Sequence, residues 1–195
     1  MVPPRVKITK GHILDAAVSV IRESGLDGLN ARALAQKLSC STQPILYAFA
    51  TMEELKRAAY HRVDQLHTEY LLRTPPERDP LLGIGLNYIR FAVEEPRLFR
   101  FLFQSGYAEE KNLLEMIDSA ELSPVLDAMQ EGLGMDRPKT RDVFLTLALF
   151  AHGYASLHAN NTLTYDEGLA AAHLERAFYG AVAAVSQEEN DEKTE

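Results

Sequence analysis

Between Ile13 and Ile21, apolar residues recur at Ile13, Ala16, Ala17, Val20 and Ile21, the i, i+3, i+4, i+7, i+8 spacing of a helix with one buried stripe. Thr9 stands where an N-cap is needed and Gly25 where a helix stops, so a first helix is predicted to about Ser24. After the turn Leu26-Asp27-Gly28-Leu29, Asn30 caps a short second helix over about Ala31–Leu38, with Ala31, Leu34, Ala35 and Leu38 inward. Ser39-Cys40-Ser41 breaks the chain again. A third helix covers about Thr42–Phe49, with Pro44 in its first turn, where a missing N–H is harmless. Thr51 and Glu54 make a capping box for a long fourth helix over about Met52–Leu72.

The stretch Thr74-Pro75-Pro76-Glu77-Arg78-Asp79-Pro80 is the clearest punctuation in the chain. Beyond it, helices are predicted over about 80–94, 96–105, 109–119, 124–132, 138–160 and 165–186. Asp79-Pro80, Ser123-Pro124 and Arg137-Pro138 mark starts, and Glu95-Pro96 ends one helix and opens the next. No segment alternates with period two. The fold class is therefore all-α: an amino-terminal three-helix domain containing a helix-turn-helix, followed by a larger helical bundle. The expected division is 1–59, 60–187, and an acidic, disordered tail at 188–195.

Charge sharpens this division. The net charge is -8, but residues 1–60 carry eight Lys/Arg against five Asp/Glu, a balance of +3, which leaves -11 for the rest. A mildly basic head on an acidic body suits a protein that presents one end to phosphates. Apolar residues make up 46% of the chain, enough for a sizeable core. The single cysteine, Cys40, excludes an intramolecular disulfide and a cysteine metal cluster, and is read as a small buried residue of the turn. No apolar signal core opens the chain, and the longest apolar stretch, about 143–157, falls short of the roughly 20 residues needed to span a bilayer. A soluble, cytoplasmic protein is expected.

A short helix, a three-residue turn and a second short helix, braced by a longer one before them, form the layout of a DNA reader. Ile45, Leu46 and Phe49 are expected on the inner face of the third helix, which leaves Thr42, Gln43, Pro44, Tyr47 and Ala48 toward the outside. Gln43 can take adenine N6 and N7 in two-pronged fashion, and Thr42 can touch a base edge or a phosphate. Tyr47 can give its hydroxyl to a phosphate. Thr51 and Met52, at the head of the fourth helix, offer backbone N–H groups to another phosphate. Lys10, Arg32 and Lys56 are the candidate side-chain clamps, with Asn30 beside them at the start of the second helix. The bland alternatives are a solvated Gln43 and a Tyr47 that only covers the core edge.

Residues 9 to 59 resemble the amino-terminal domain of TetR-type (tetracycline-repressor-like) transcriptional regulators. The resemblance is carried by Ile13-Leu14-Asp15-Ala16-Ala17, Gly25, Leu34-Ala35, Ser41-Thr42-Gln43-Pro44-Ile45, Phe49 and Met52-Glu53-Glu54-Leu55. Two positions depart from the family pattern: Leu46 stands where the family usually has tyrosine, and Met52 where it usually has lysine. The phosphate contacts of those family residues are not carried over to these side chains. The resemblance implies a homodimer, a palindromic operator, and a helical body that takes a small effector. Glu95–Phe103 and Ala151–Leu157 are similar to one carboxy-terminal subclass, with Ala151 where that subclass has tryptophan.

The body supplies its own signals. The segment 143–157 is apolar nearly all round, and the last helix carries Ala170, Ala171, Ala172, Ala177, Gly180, Ala181, Ala183 and Ala184. A helix apolar on all sides needs cover on all sides, so the helices near 138–160 and 165–186 are the expected dimer interface, with internal core as the alternative. Tyr88, Phe91, Phe103, Phe150 and Tyr154 are the candidate lining of an effector pocket, with Asn87 or His152 as polar anchors; ordinary core is the alternative for each. Enzyme chemistry finds no constellation, because there is no Gly-rich phosphate loop, nucleophile elbow, His-x-x-x-His or Glu-x-x-His. No catalytic residue, metal or cofactor is expected. The function read from the sequence is a ligand-responsive regulator, a repressor by preference. The rivals are a helical adaptor with a degenerate helix-turn-helix and, less favoured, an all-helical enzyme.

Overall fold

Thr9 opens the first helix with a reciprocal cap: its Oγ1 accepts the His12 N–H at 3.2 Å, and His12 Nδ1 accepts the Thr9 N–H at 3.4 Å. A histidine thus fills the place usually taken by Glu or Gln. The computed structural model describes residues 8–73, 79–108, 115, 117 and 122–192. Among them are nine α-helices and no strand: α1 Lys10–Ser24, α2 Ala31–Lys37, α3 Gln43–Ala48, α4 Met52–Leu71, α5 Pro80–Glu94, α6 Pro96–Gln104, α7 Ser123–Leu133, α8 Arg137–Asn160 and α9 Glu167–Glu192. A 3-10 turn, Leu26–Gly28, follows α1. The chain is all-α, as its periodicity predicts.

Two units pack separately: residues up to Glu69 with Glu94–Ala108, and Tyr70–Val93 with the residues from Glu109 onward. In the first unit α1 packs against α2 and α6, and α2 against α3. Ile13, Ala17 and Ile21 of α1, Leu34 of α2, Ile45 of α3, and Leu55, Ala59 and Val63 of α4 are fully or almost fully buried. From α6, Leu98, Phe99, Phe101 and Leu102 are also buried. Gly25 ends α1 at φ +73°, a conformation that costs a side-chain-bearing residue energy, and its N–H reaches Ile21 O at 2.7 Å.

In the second unit α8 packs along α9 and against α7. One core cluster joins Leu86 and Ile89 of α5 to Ala151 of α8 and to Ala170 and Leu174 of α9. A second joins Met129, Val143, Ala181 and Val185. A Cβ on Gly85 would lie 3.3 Å from a methyl of Leu174, so the missing side chain lets α5 and α9 approach closely.

Most helix starts follow their caps. Asp79 Oδ1 accepts the Leu82 N–H at 3.0 Å, and Asp136 Oδ1 the Lys139 N–H at 3.0 Å. The last helix departs from expectation at both ends. It begins at Glu167, because Asp166 caps it by accepting the Leu169 N–H at 2.9 Å. The segment expected to be a disordered tail is helical as far as Glu192, since no Gly or Pro follows Val185 to stop propagation. The helix predicted over 109–119 lies outside the described residues except at Glu115 and Ile117, both helical.

Candidate nucleic-acid interface and effector site

The turn between α2 and α3 is built by the backbone. Ser39 N–H bonds Gln36 O at 3.1 Å and Cys40 N–H bonds Ala35 O at 2.9 Å, the paired bonds of a Schellman motif. Ser39 takes the left-handed position at φ 50°, where glycine is usual. Cys40 is half-buried. This turn releases the chain into α3, whose inner side is Ile45 and Phe49, one helical turn apart and both buried.

Leu46 corrects the sequence reading: it was expected inside and is 56% exposed. A helix of six residues has one narrow inner side. Ile45 and Phe49 fill it, and Leu46, about 100° further round, is turned out. Gln43 is exposed and Tyr47 is 82% exposed, with Gln43 Nε2 3.4 Å from Tyr47 Oη. Thr42, Pro44 and Ala48 are half-buried. The rim of α3 therefore presents Gln43, Leu46 and Tyr47 together.

The flanking candidates divide into committed and uncommitted groups. Asn30 Oδ1 accepts the N–H groups of Arg32 and Ala33 at 3.1 and 3.0 Å, and its amide donates to Gly28 O at 3.1 Å, so its side chain is occupied in capping α2. Thr51 Oγ1 accepts the Glu54 N–H at 3.0 Å, while the Glu54 carboxylate accepts the Ala50 N–H at 2.8 Å. The capping box is thus reciprocal one residue earlier than expected. Lys10 lies 4.9 Å from the centroid of the Phe49 ring and 3.8 Å from the Glu54 carboxylate. Arg32 is exposed, and Lys56 and Met52 are half-buried. Neither Arg32 nor Lys56 forms an ion pair among the described residues.

In the second unit Tyr88, Phe150 and Tyr154 pack on the Leu86–Ile89–Ala151–Ala170–Leu174 cluster, together with Tyr165. Tyr88 Oη and His152 Nδ1 are 2.8 Å apart, and His152 Nε2 is 3.4 Å from Ser156 Oγ. Burial holds the His152 imidazole below the ordinary histidine range and pushes the Tyr88 phenol up, so both are neutral near pH 7. Tyr154 stacks on His158 at 5.3 Å and meets His173 edge-on at 6.4 Å, while His158 meets Tyr165 at 5.6 Å. Sequence reasoning missed these two histidines and Tyr165. The four-residue spacing of Tyr154 and His158 was the available signal. Arg90 pairs with Glu167 beside them.

Three other candidates lie elsewhere. Asn87 is buried and donates its amide to Leu71 O at 3.0 Å, which closes the end of α4. Phe91 is buried, its ring edge-on to Tyr70 at 5.4 Å. Phe103 belongs to the first unit, 4.8 Å from Phe99 and 5.5 Å from His67 between ring centroids. Among the described residues, no set of three or more His, Cys, Asp or Glu converges as a metal site, and no helix is long and apolar enough to cross a membrane.

A helix-turn-helix head joined to a helical body defines a class, the helical one-component regulators. Residues 81–185 match the family described as tetracyclin repressor-like, C-terminal domain. The chain belongs to that family, which is one of transcription regulators and not of enzymes. Solved structures share the fold. A TetR-like transcriptional regulator from Rhodococcus sp. RHA1 is 17% identical over 94% of this chain and 99% of its own, with a TM-score of 0.60. A TetR-family regulator from Streptomyces coelicolor is 15% identical over 93% and 83%, with a TM-score of 0.68. The multidrug binding protein EbrR, complexed with ethidium, is 21% identical over 86% and 96%, with a TM-score of 0.53. No curated protein matches the chain.

Proposed function

We propose that the chain is a cytoplasmic, ligand-responsive repressor that binds a palindromic operator as a homodimer and changes its DNA affinity when a small effector enters the body. Residues 1–59 carry the DNA contacts, and 60–187 carry the effector site and the dimer interface. The observation that carries the reading is the rim of α3: Gln43 and Tyr47 stand in solvent while Ile45 and Phe49 anchor the helix beneath them. Thr42 and Pro44 stand beside this rim at the start of α3, and Arg32 and Lys56 are assigned as phosphate clamps, with Lys10, Asn30 and the Thr51–Met52 head of α4 as supports.

The dimer rests on a face that a single chain leaves uncovered. Leu149, Gly153 and Leu157 of α8 follow each other at four-residue steps, all exposed, Leu157 at 57%. On α9, Tyr179 is 68% exposed, and Gly180, Ala183 and Ala184 are exposed beside it. In dimeric helix-turn-helix proteins generally, the two recognition helices lie about 34–36 Å apart, the spacing of successive major grooves, which is the arrangement proposed for this dimer. The effector reading draws support from the Tyr88–His152 pair among Phe150 and Tyr154, and from the ligand named for EbrR. An effector acts only through a difference in affinity for the two conformers.

Gel-shift and anisotropy titrations with genomic fragments, over a range of salt, test the reading. Sequence-selective binding that weakens steeply with salt is the expected result. Light scattering should give twice the chain mass, and Leu157→Glu should return it to one chain. A normal dimer with no footprint on any fragment would favour the adaptor reading.

A further inference from the structure

Gln43 and Tyr47 are one turn apart on α3, and Gln43 Nε2 donates to Tyr47 Oη at 3.4 Å. A helical side chain leans back over the preceding turn, which lays the Tyr47 ring toward Gln43. Packing does not require this arrangement, because Tyr47 is 82% exposed and Ile45 and Phe49 already hold the helix. An exposed bond of this length contributes little to folding. Its consequence is for the conformation of the Gln43 amide.

A free glutamine has two N–H donors and one carbonyl acceptor, and can present them in several ways. Tyr47 occupies one N–H. The remaining N–H and Oε1, side by side, fit the N7 acceptor and N6 donor of adenine. Guanine shows acceptors at both N7 and O6, and sets O6 against the glutamine carbonyl. The Tyr47 hydroxyl keeps its own proton for a phosphate oxygen, so one hydrogen-bonded chain can run from backbone to base.

We propose that Tyr47 is a positioning residue: it fixes the Gln43 amide so that α3 selects adenine, through a hydroxyl that touches no base itself. This rests on the reading of the chain as a DNA-binding regulator. Sites are selected from random duplexes with the full-length wild type. Anisotropy titrations then compare adenine with guanine at the selected position for wild type, Gln43→Ala, Tyr47→Phe and the double variant. The wild type should prefer adenine by about tenfold or more, the scale of one bidentate contact. Tyr47→Phe keeps the ring and should remove most of that preference: both duplexes lose the phosphate contact, and the adenine duplex weakens further, by most of the wild-type adenine-over-guanine factor. The double variant should be no less selective than Gln43→Ala, because one contact cannot be lost twice.

A Tyr47→Phe protein that binds both duplexes more weakly by the same factor makes Tyr47 a phosphate donor only and overturns the proposal. Multiplying effects of the two substitutions would make them independent base contacts and overturn it as well. A wild type that selects no sequence takes the regulator reading down too. A selective wild type with an equally selective Tyr47→Phe takes down this proposal alone.

Discussion

The side-chain amide of buried Asn87 donates to the carbonyl of half-buried Leu71 at 3.0 Å. Leu71 is the last residue of α4, so its carbonyl has no partner further along that helix. Asn87, a polar residue in an apolar helix, supplies the partner. Asn87→Leu should therefore lower the stability of the effector-free protein by about 1 kcal/mol, the scale of one hydrogen bond lost at a half-buried carbonyl. Thermal melts by circular dichroism check it. An unchanged melting temperature would return Asn87 to the role of effector anchor.

Ser39 holds a left-handed conformation that glycine adopts without strain. Ser39→Gly should stabilise the protein by roughly 0.5–1 kcal/mol, the relief of about 1–2 kcal/mol of strain less about 0.5–1 kcal/mol for the added freedom of the unfolded chain. Denaturant midpoints provide the measurement, and a lower midpoint would contradict the prediction.

His67 is buried and its imidazole is pushed down to about 4, from 6.5, by loss of solvent. The unfolded chain takes up a proton there below about pH 6.5, and the folded protein does so only near 4. Stability is therefore full above 6.5 and falls as pH drops through that window, by an amount on the order of 3 kcal/mol. Below 4 both states are protonated and the slope from this group vanishes. His67→Phe should flatten the pH dependence of chemical denaturation between 6.5 and 4. A slope equal to wild type would assign the acid sensitivity to other groups.

Lys56 is a charge without an ion-pair partner among the described residues, near the head of α4. Under the proposed function, Lys56→Ala should weaken binding to every duplex alike and reduce the slope of log K against log salt by about one. A loss confined to one sequence would make it a base contact.

The helices and their caps were legible because they are local. Thr9, Asn30, Thr51 and Asp79 each act within four residues of themselves. Leu46 was not legible: Ile45, Leu46 and Phe49 are all apolar, and only the width of the interface decides which of them stays outside. The partners of the polar residues in the body were hidden for a related reason. The sequence shows that Asn87 and His152 interrupt apolar helices, but their partners, Leu71 O and Tyr88, lie 16 and 64 residues away. Tyr154, His158, His173 and Tyr165 gather across two helices and a loop, a grouping that no single period reports.

The carboxylates of Glu53 and Glu54 stand in the first turn of α4, and Glu54 already occupies Lys10. Attraction to phosphates is the part of binding that any duplex supplies equally. Negative charge set at the head of α4 subtracts from the common part and leaves the difference between sequences intact. Under the proposed function the protein then dwells briefly on arbitrary DNA, and its search is shortened by what it fails to hold.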